Sequence, residues 1–166
     1  LMQNREEFKK RLLEIRDTRK REIVERLDKR FEEIGDKMTD HFTKVVDRLE
    51  DVLTKVETRA DKAEAAGKDV SLVRAAIDKA TPLIVSARTA IAEQVSKTYP
   101  IELTDEEKLG DDVSASRKNM HTDLRGVREV IQDLRAAVVD AVAALRGIPG
   151  VDDEEPEVAT STPSAS

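Results

Sequence analysis

From Phe8 onward the apolar side chains return at nearly constant intervals for 55 residues: Leu12, Ile15, a gap at Arg19, then Ile23, Leu27, Phe31, Ile34, Met38, Phe42, Val45, Leu49, Val52, Val56, Ala60 and Ala63. A strand alternates its faces every second residue, so no sheet produces this spacing. A helix presents it as one continuous stripe. Fifteen steps over 55 residues give about 3.67 per step, closer to an eleven-residue repeat than to heptads. The spacing predicts one helix from about residue 4 to 66, nearly straight or weakly right-handed and roughly 90 Å long at 1.5 Å per residue. Gly35 lies inside it and costs about 1 kcal/mol relative to alanine, which weakens the helix without breaking it.

The stretch EAAGKDVS ends this helix, with Gly67 suited to a left-handed C-terminal cap and Asp69 or Ser71 able to cap the next helix. A second stripe follows at Val73, Ile77, Ala80, Ile84, Ala87, Ile91 and Val95, predicting a helix from about 70 to 97. Pro82 interrupts it, yet the spacing stays in phase, which favours one kinked helix; the competing reading has Thr81 cap a new helix beginning at Pro82. Pro100 forces Tyr99 out of helical geometry, and Thr104 with Glu107 has the spacing of a capping box ahead of a single turn stopped by Gly110. A third helix then carries Val113, Met120, Leu124, Val127, Ile131, Leu134, Val138, Ala141 or Val142, and Leu145 before Gly147, Pro149 and Gly150.

Fitted together, these lengths predict an all-α fold: an elongated antiparallel three-helix coiled-coil bundle over residues 31–146, held by the packing of its apolar stripes. Residues 1–30 form a charged helical overhang without an in-chain partner, and 147–166 form an acidic, Ser/Thr/Pro-rich tail expected to be disordered.

Composition excludes several functions. The charge of -6 is concentrated in the tail, where Asp152, Asp153, Glu154, Glu155 and Glu157 stand without a base, so the rest of the chain carries 29 bases against 30 acids. A near-neutral body with interspersed signs offers no basic stripe to a nucleic-acid backbone, and four aromatic residues are too few for base stacking. The absence of cysteine removes disulfides, a thiolate nucleophile and Cys-ligated zinc, and leaves the redox compartment open. No apolar run approaches the roughly 20 residues of a membrane span. The chain begins Leu1-Met2, as a fragment or a processed product would.

Chemistry has few places to reside. His41 has Lys37, Met38, Lys44 and Val45 at helical contact spacing, and His121 has Arg117, Lys118, Leu124 and Arg125, so neither has an adjacent anionic ligand to share a metal. The two fall at similar heights in the bundle and would face each other only as seam-edge residues. Asp36 with Asp40, Asp47 with Asp51, and Asp111 with Asp112 lack calcium-loop spacing and read as solvated helix faces. There is no phosphate loop, nucleophile elbow or helical zinc motif. These observations predict no catalytic residue, no metal and no cofactor.

Two features point to binding. AAVVDAVAAL, from Ala136 to Leu145, is apolar nearly all round with Asp140 its only charge, so it packs on several sides and leaves Val138, Val139 and Val142 as candidate contact residues. The overhang carries a narrow stripe of Phe8, Leu12, Ile15, Ile23 and Leu27, which a protein partner or a second copy is expected to cover. A membrane surface is the second candidate for it, although acids and bases balance on its polar face.

The run HFTKVVDRLEDVLTKVETRADKAEAAGKDVSLVRAAIDKA, His41 to Ala80, resembles uncharacterised secreted Ala-rich helical-hairpin proteins of candidate-phylum bacteria. The likeness lies in the RLE helix, the RADKAEAAGKDVS turn and the Ala-rich return helix, and extends to about half the chain. It implies an exported coiled-coil protein and carries over no site residues. The sequence therefore predicts a non-enzymatic structural or adaptor protein acting through helix-helix contacts, extracytoplasmic or at the cell envelope, with a cytoplasmic location and lipid association as the alternatives.

Overall fold

A computed structural model describes residues 2–151, with side chains from residue 5. The described chain is all-helical: α1 (Met2–Glu14), α2 (Thr18–Ala65), α3 (Ser71–Val95) and α4 (Leu109–Arg146). The acidic stretch from residue 152 onward, expected to be disordered, lies outside the described residues. α2, α3 and α4 pack against one another in pairs, whereas α1 touches only α2 among the helices. Ion pairs fix the direction of α3 on α2: Arg74 meets Asp61 at 2.5 Å and Glu64 at 2.6 Å, and Arg88 meets Asp47 at 2.9 Å and also Glu50, so the two helices run antiparallel.

The expected first helix is two helices. The chain leaves helical geometry at Ile15–Asp17, and the break is fixed from both sides. The Asp17 carboxylate accepts the Arg19 and Lys20 amides at 2.9 and 3.3 Å as the N-cap of α2. Arg21 donates to the Ile15 carbonyl at 2.5 Å and to that of Leu13 at 3.4 Å, satisfying the end of α1. The gap in the stripe at Arg19 falls just beyond this break. α1 then packs on α2, so Phe8, Leu12 and Ile15 are buried within the chain and Leu27 is half-buried. The stripe of the expected overhang therefore has an in-chain partner.

The break adds little to the long average period: from Ile23 to Ala63, inside α2, the apolar positions already take 11 steps over 40 residues, about 3.6 per step, because several of them lie one residue off the buried seam. Over long stretches of single helices the buried and half-buried positions follow alternating steps of three and four. Phe42, Val46, Leu49, Leu53, Val56, Ala60 and Ala63 take six steps over 21 residues, or 3.5 per step. Val73, Ile77, Ala80, Ile84, Ala87, Ile91 and Gln94 of α3 repeat that spacing, as do Leu124, Val127, Ile131, Leu134, Val138, Ala141 and Leu145 of α4. The seam is thus heptad-spaced and shifted by one at several places: Val24 is 3% exposed where Ile23 is 52%, and Leu53 is buried where Val52 is exposed.

Gly67 adopts φ +75° and ends α2 with paired bonds, Lys68 amide to Ala63 carbonyl at 3.0 Å and Gly67 amide to Glu64 carbonyl at 2.9 Å. Asp69 accepts the Ser71 amide at 2.9 Å, and this hydrogen bond holds its carboxyl below the usual range. α3 runs through Pro82 as one helix, as the in-phase spacing predicts. The connection after α3 packs inward: Ile101 and Leu103 are buried, and Arg11 of α1 donates to the Leu103 carbonyl at 3.0 Å. Thr104 caps no separate turn. Its amide and hydroxyl donate to Asp112 at 3.0 Å, and α4 begins at Leu109 with Gly110 in its first turn. Ile148, just beyond α4, is also buried.

Two outcomes follow. Phe8→Ala is expected to lower stability by about 3 kcal/mol in urea unfolding followed by far-UV circular dichroism, against a change within about 0.5 kcal/mol for a helix projecting into solvent. Pro82→Ala, at an exposed position, is expected to raise stability by about 1 to 3 kcal/mol in the same measurement, because it restores an amide donor to the helix interior.

Candidate interaction surfaces

The candidate contact residues separate into three environments. Phe8, Leu12, Ile15 and Val138 are buried; Leu27 and Val142 are half-buried; Ile23 and Val139 are exposed, Val139 at 57%. Leu13, beside the α1–α2 break, is exposed as well. His41 and His121 are both exposed, and the His41 ring lies 6.2 Å from that of Phe42 at a 50° tilt. Among the described residues no group of three or more His, Cys, Asp or Glu side chains gathers as metal ligands would. Asp47, taken from the sequence as part of an acidic pair, is a partner of Arg88 across the α2–α3 contact.

A groove of about 490 Å³ runs between α2 and α4. Its apolar floor is Val52, Val56, Val142 and Leu145, with Thr54 and Thr58 beside them, and its rim is Lys55, Arg59, Lys62 and Arg146. No acidic residue lines it. The arrangement follows from the helical repeat: Val52 and Val56 edge the buried face of α2, so Lys55, Arg59 and Lys62 fall on the adjoining face, three or four residues apart. Apolar floor and cationic rim together favour a ligand with an apolar side and negative charge.

A second hollow, of about 600 Å³, lies where α1 folds onto α2 near the end of α3. α1 contributes Arg5, Glu6, Phe8 and Lys9, α2 contributes Asp28, Phe31, Glu32, Gly35, Asp36 and Thr39, and the third wall runs from Gln94 to Pro100. Arg5 is paired with Glu32. Thr39 turns its hydroxyl back to the Gly35 and Asp36 carbonyls at 3.1 and 2.9 Å. Burial raises the Asp28 carboxyl above its ordinary value, with nearby Arg5 opposing the effect and Glu25 adding to it.

The third wall is held by a polar chain that the apolar pattern concealed. Gln94 takes the buried seam position expected for Val95, which is exposed instead. Its amide nitrogen donates to the Tyr99 hydroxyl at 2.7 Å, and Tyr99 donates to Asp123 at 2.9 Å. Lys97 pairs with the other oxygen of Asp123 at 3.1 Å. A phenol has one proton to give, so donation to the carboxylate fixes Gln94 as the donor to Tyr99. The position of Tyr99, two residues after Lys97 and just before Pro100, was the available sequence signal for this corner.

No protein-family model, curated protein or solved structure matches the chain.

Burial, opposed by the hydrogen bond from Gln94 and reinforced by Asp123, pushes the Tyr99 phenol up to about 12 from 10.0. Tyr99 is the only tyrosine and there is no tryptophan, so absorbance near 295 nm titrates this group alone. The expected midpoint is about 12. Because the folded value exceeds the unfolded one, the contribution to stability is fully present below pH 10.0 and is lost as pH rises toward about 12. A midpoint near 10.0 in the folded protein would contradict the buried network.

Proposed function

We propose that this chain is a non-enzymatic adaptor, an elongated coiled-coil bundle whose α2–α4 groove receives an acidic amphipathic helix from another protein. The observation that carries the reading is the rim of Lys55, Arg59, Lys62 and Arg146 around an apolar floor, with no acid among the lining residues. An amphipathic helix would set its apolar face on Val52, Val56, Val142 and Leu145 and direct its carboxylates to the rim. Exposed Val139, three residues before Val142 on α4, extends the apolar strip. The heptad spacing of the three long helices supports the coiled-coil description. A second copy of the bundle body is a poorer occupant, since its 29 bases and 30 acids outside residues 147–166 are interspersed.

This reading moves the partner surface away from residues 1–30, whose main apolar residues are covered within the chain. No cofactor, metal or nucleic acid enters it. The location proposed is extracytoplasmic or at the cell envelope, on the resemblance of residues 41–80 to secreted helical hairpins, with the cytoplasm as the alternative. Association with a lipid surface is the second reading, favoured by the same cationic rim beside exposed Val139. No helix among the described residues is long and apolar enough to cross a membrane.

The test is fluorescence anisotropy with a labelled amphipathic peptide carrying Glu on its polar face and Leu on the other, against a counterpart with Lys in place of Glu. The acidic peptide is expected to bind in the micromolar range and to weaken about tenfold between roughly 0.05 and 0.5 M salt. Arg59→Glu is expected to weaken it by about tenfold or more. Equal binding of the Lys peptide, or an unaffected Arg59→Glu variant, would overturn the proposal. Binding of anionic vesicles without the peptide would replace it with the lipid reading.

A further inference from the structure

The residues that follow α4 keep the chain against the end of the bundle. Ile148 is buried, and its amide donates to the Leu145 carbonyl at 3.1 Å. Gly150 has φ +80°, in the left-handed region that favours glycine, so the chain turns there. Val151, half-buried, then packs against the core. Between this return and the end of α2 lies a hollow of about 310 Å³, lined by Arg59, Lys62 and Lys68, by two alanines, and by Gly150 and Val151 themselves. Among the described residues no acid lines it. Arg59 and Lys62 also line the α2–α4 groove, so the returning chain and the groove share two cations.

The next six residues, 152–157, carry five acids, Asp152, Asp153, Glu154, Glu155 and Glu157, and no base. Six residues span at most about 20 Å. Lys55, Arg59 and Lys62 are spread along about 10 Å of α2 at 1.5 Å per residue, so the acids that start from Val151 reach all three. Nearby acids of α2 do not answer these cations across the bundle, since Asp61 and Glu64 meet Arg74 of α3. α2 and α4 both end here, at Ala65 and Arg146. The carbonyls at a helix C-terminus repel anions, so five carboxylates leaving this end are stabilised by contact with its cations.

We infer that the chain's own segment 152–157 docks on the cationic rim of the α2–α4 groove, its carboxylates meeting Arg59, Lys62 and Lys68, and so competes with an acidic partner for that rim. The competition rests on the partner reading of the groove given above; the docking does not. A short tether holds the segment at an effective concentration of about 1 mM, so an intrinsic Kd of about 0.1 mM keeps the rim about nine-tenths occupied and weakens a competing acidic ligand about tenfold. Pro156 is the segment's one uncharged residue, so it offers the floor of Val52, Val56, Val142 and Leu145 no aliphatic side chain. A ligand with charge alone is therefore refused, and one with an apolar face as well displaces the segment.

The experiment uses the full chain labelled with nitrogen-15, with a nitroxide on Ala159→Cys, a single site in a protein without cysteine. The reference carries Asp152→Asn, Asp153→Asn, Glu154→Gln, Glu155→Gln and Glu157→Gln, which keeps the tether and removes the charge. Broadening of the Lys55, Arg59 and Lys62 amides is expected to be at least about twofold stronger with the acids than without them in roughly 0.05 M salt, and equal in roughly 0.5 M. Arg59→Glu with Lys62→Glu should erase the difference. Equal broadening at low salt, or a difference that survives high salt, would overturn the docking. Broadening found only when spin-labelled nitrogen-14 chain is mixed with unlabelled nitrogen-15 chain would overturn it in favour of a second copy. The labelled acidic peptide used above should bind the neutralised chain about tenfold more tightly than the native one, and equal affinity would overturn the competition. Failure of that peptide to bind either chain would overturn the partner reading alone, because the broadening is read without it.

Discussion

Alternating steps of three and four between buried residues, repeated in α2, α3 and α4, are the constraint on which the rest of this molecule depends. Three such stripes are buried together only if the helices lie nearly side by side, so the short Gly67 turn and the longer 96–108 connection have their ends fixed by the helices they join. The side chains along the stripes are not uniform in size. Near the α2–α3 turn they include Ala60, Ala63, Ala80, Ala137 and Ala141, which let the backbones approach closely. Toward the other end stand Phe31, Phe42, Ile91 and Met120. That wide end is the one that needs further covering, and it receives it: Phe8, Leu12 and Ile15 from the N-terminal side and Ile101 and Leu103 from the connection all join the core.

This taper accounts for the two surfaces. Toward the α2–α3 turn the groove takes its character from residues flanking the stripe, Lys55, Arg59 and Lys62 on α2 and Arg146 on α4. At the wide end α1 adds a fourth element that touches only α2 among the helices, so it covers the core without closing the space beside Gly35 and Gln94. One surface is cationic over an apolar floor and the other carries charges of both signs.

The helical class, the Gly67 turn, the uninterrupted passage through Pro82 and most of the α4 stripe were legible in the sequence, because each rests on a local rule with a strong residue signal. The break at Ile15–Asp17 was not, since it contains neither glycine nor proline. Its two locks, Asp17 as a cap and Arg21 over the Ile15 carbonyl, are residues that occur equally on solvated helix faces. The gap at Arg19 was its visible trace. Reading apolar letters alone also chose Ile23 over Val24 and Val95 over Gln94, because it cannot register a polar residue that is buried by virtue of its hydrogen bonds. The basic groove escaped for a related reason: its floor and rim come from helices some 90 residues apart, and the rim on α2 reads in sequence as an ordinary mixed-charge face.

The return of α1 onto α2 is the claim from which the covered N-terminal stripe, the wide-end cleft and the relocation of the partner surface all follow. The chain has no cysteine, so Lys10→Cys with Glu33→Cys gives a single pair of spin labels at exposed positions on the two helices. Pulsed dipolar spectroscopy on that pair is expected to give a distance within about 20 Å, consistent with neighbouring helix axes about 10 Å apart plus the label arms. A distribution centred near 35 Å, the rise of one uninterrupted helix over that interval at about 1.5 Å per residue, would contradict the account.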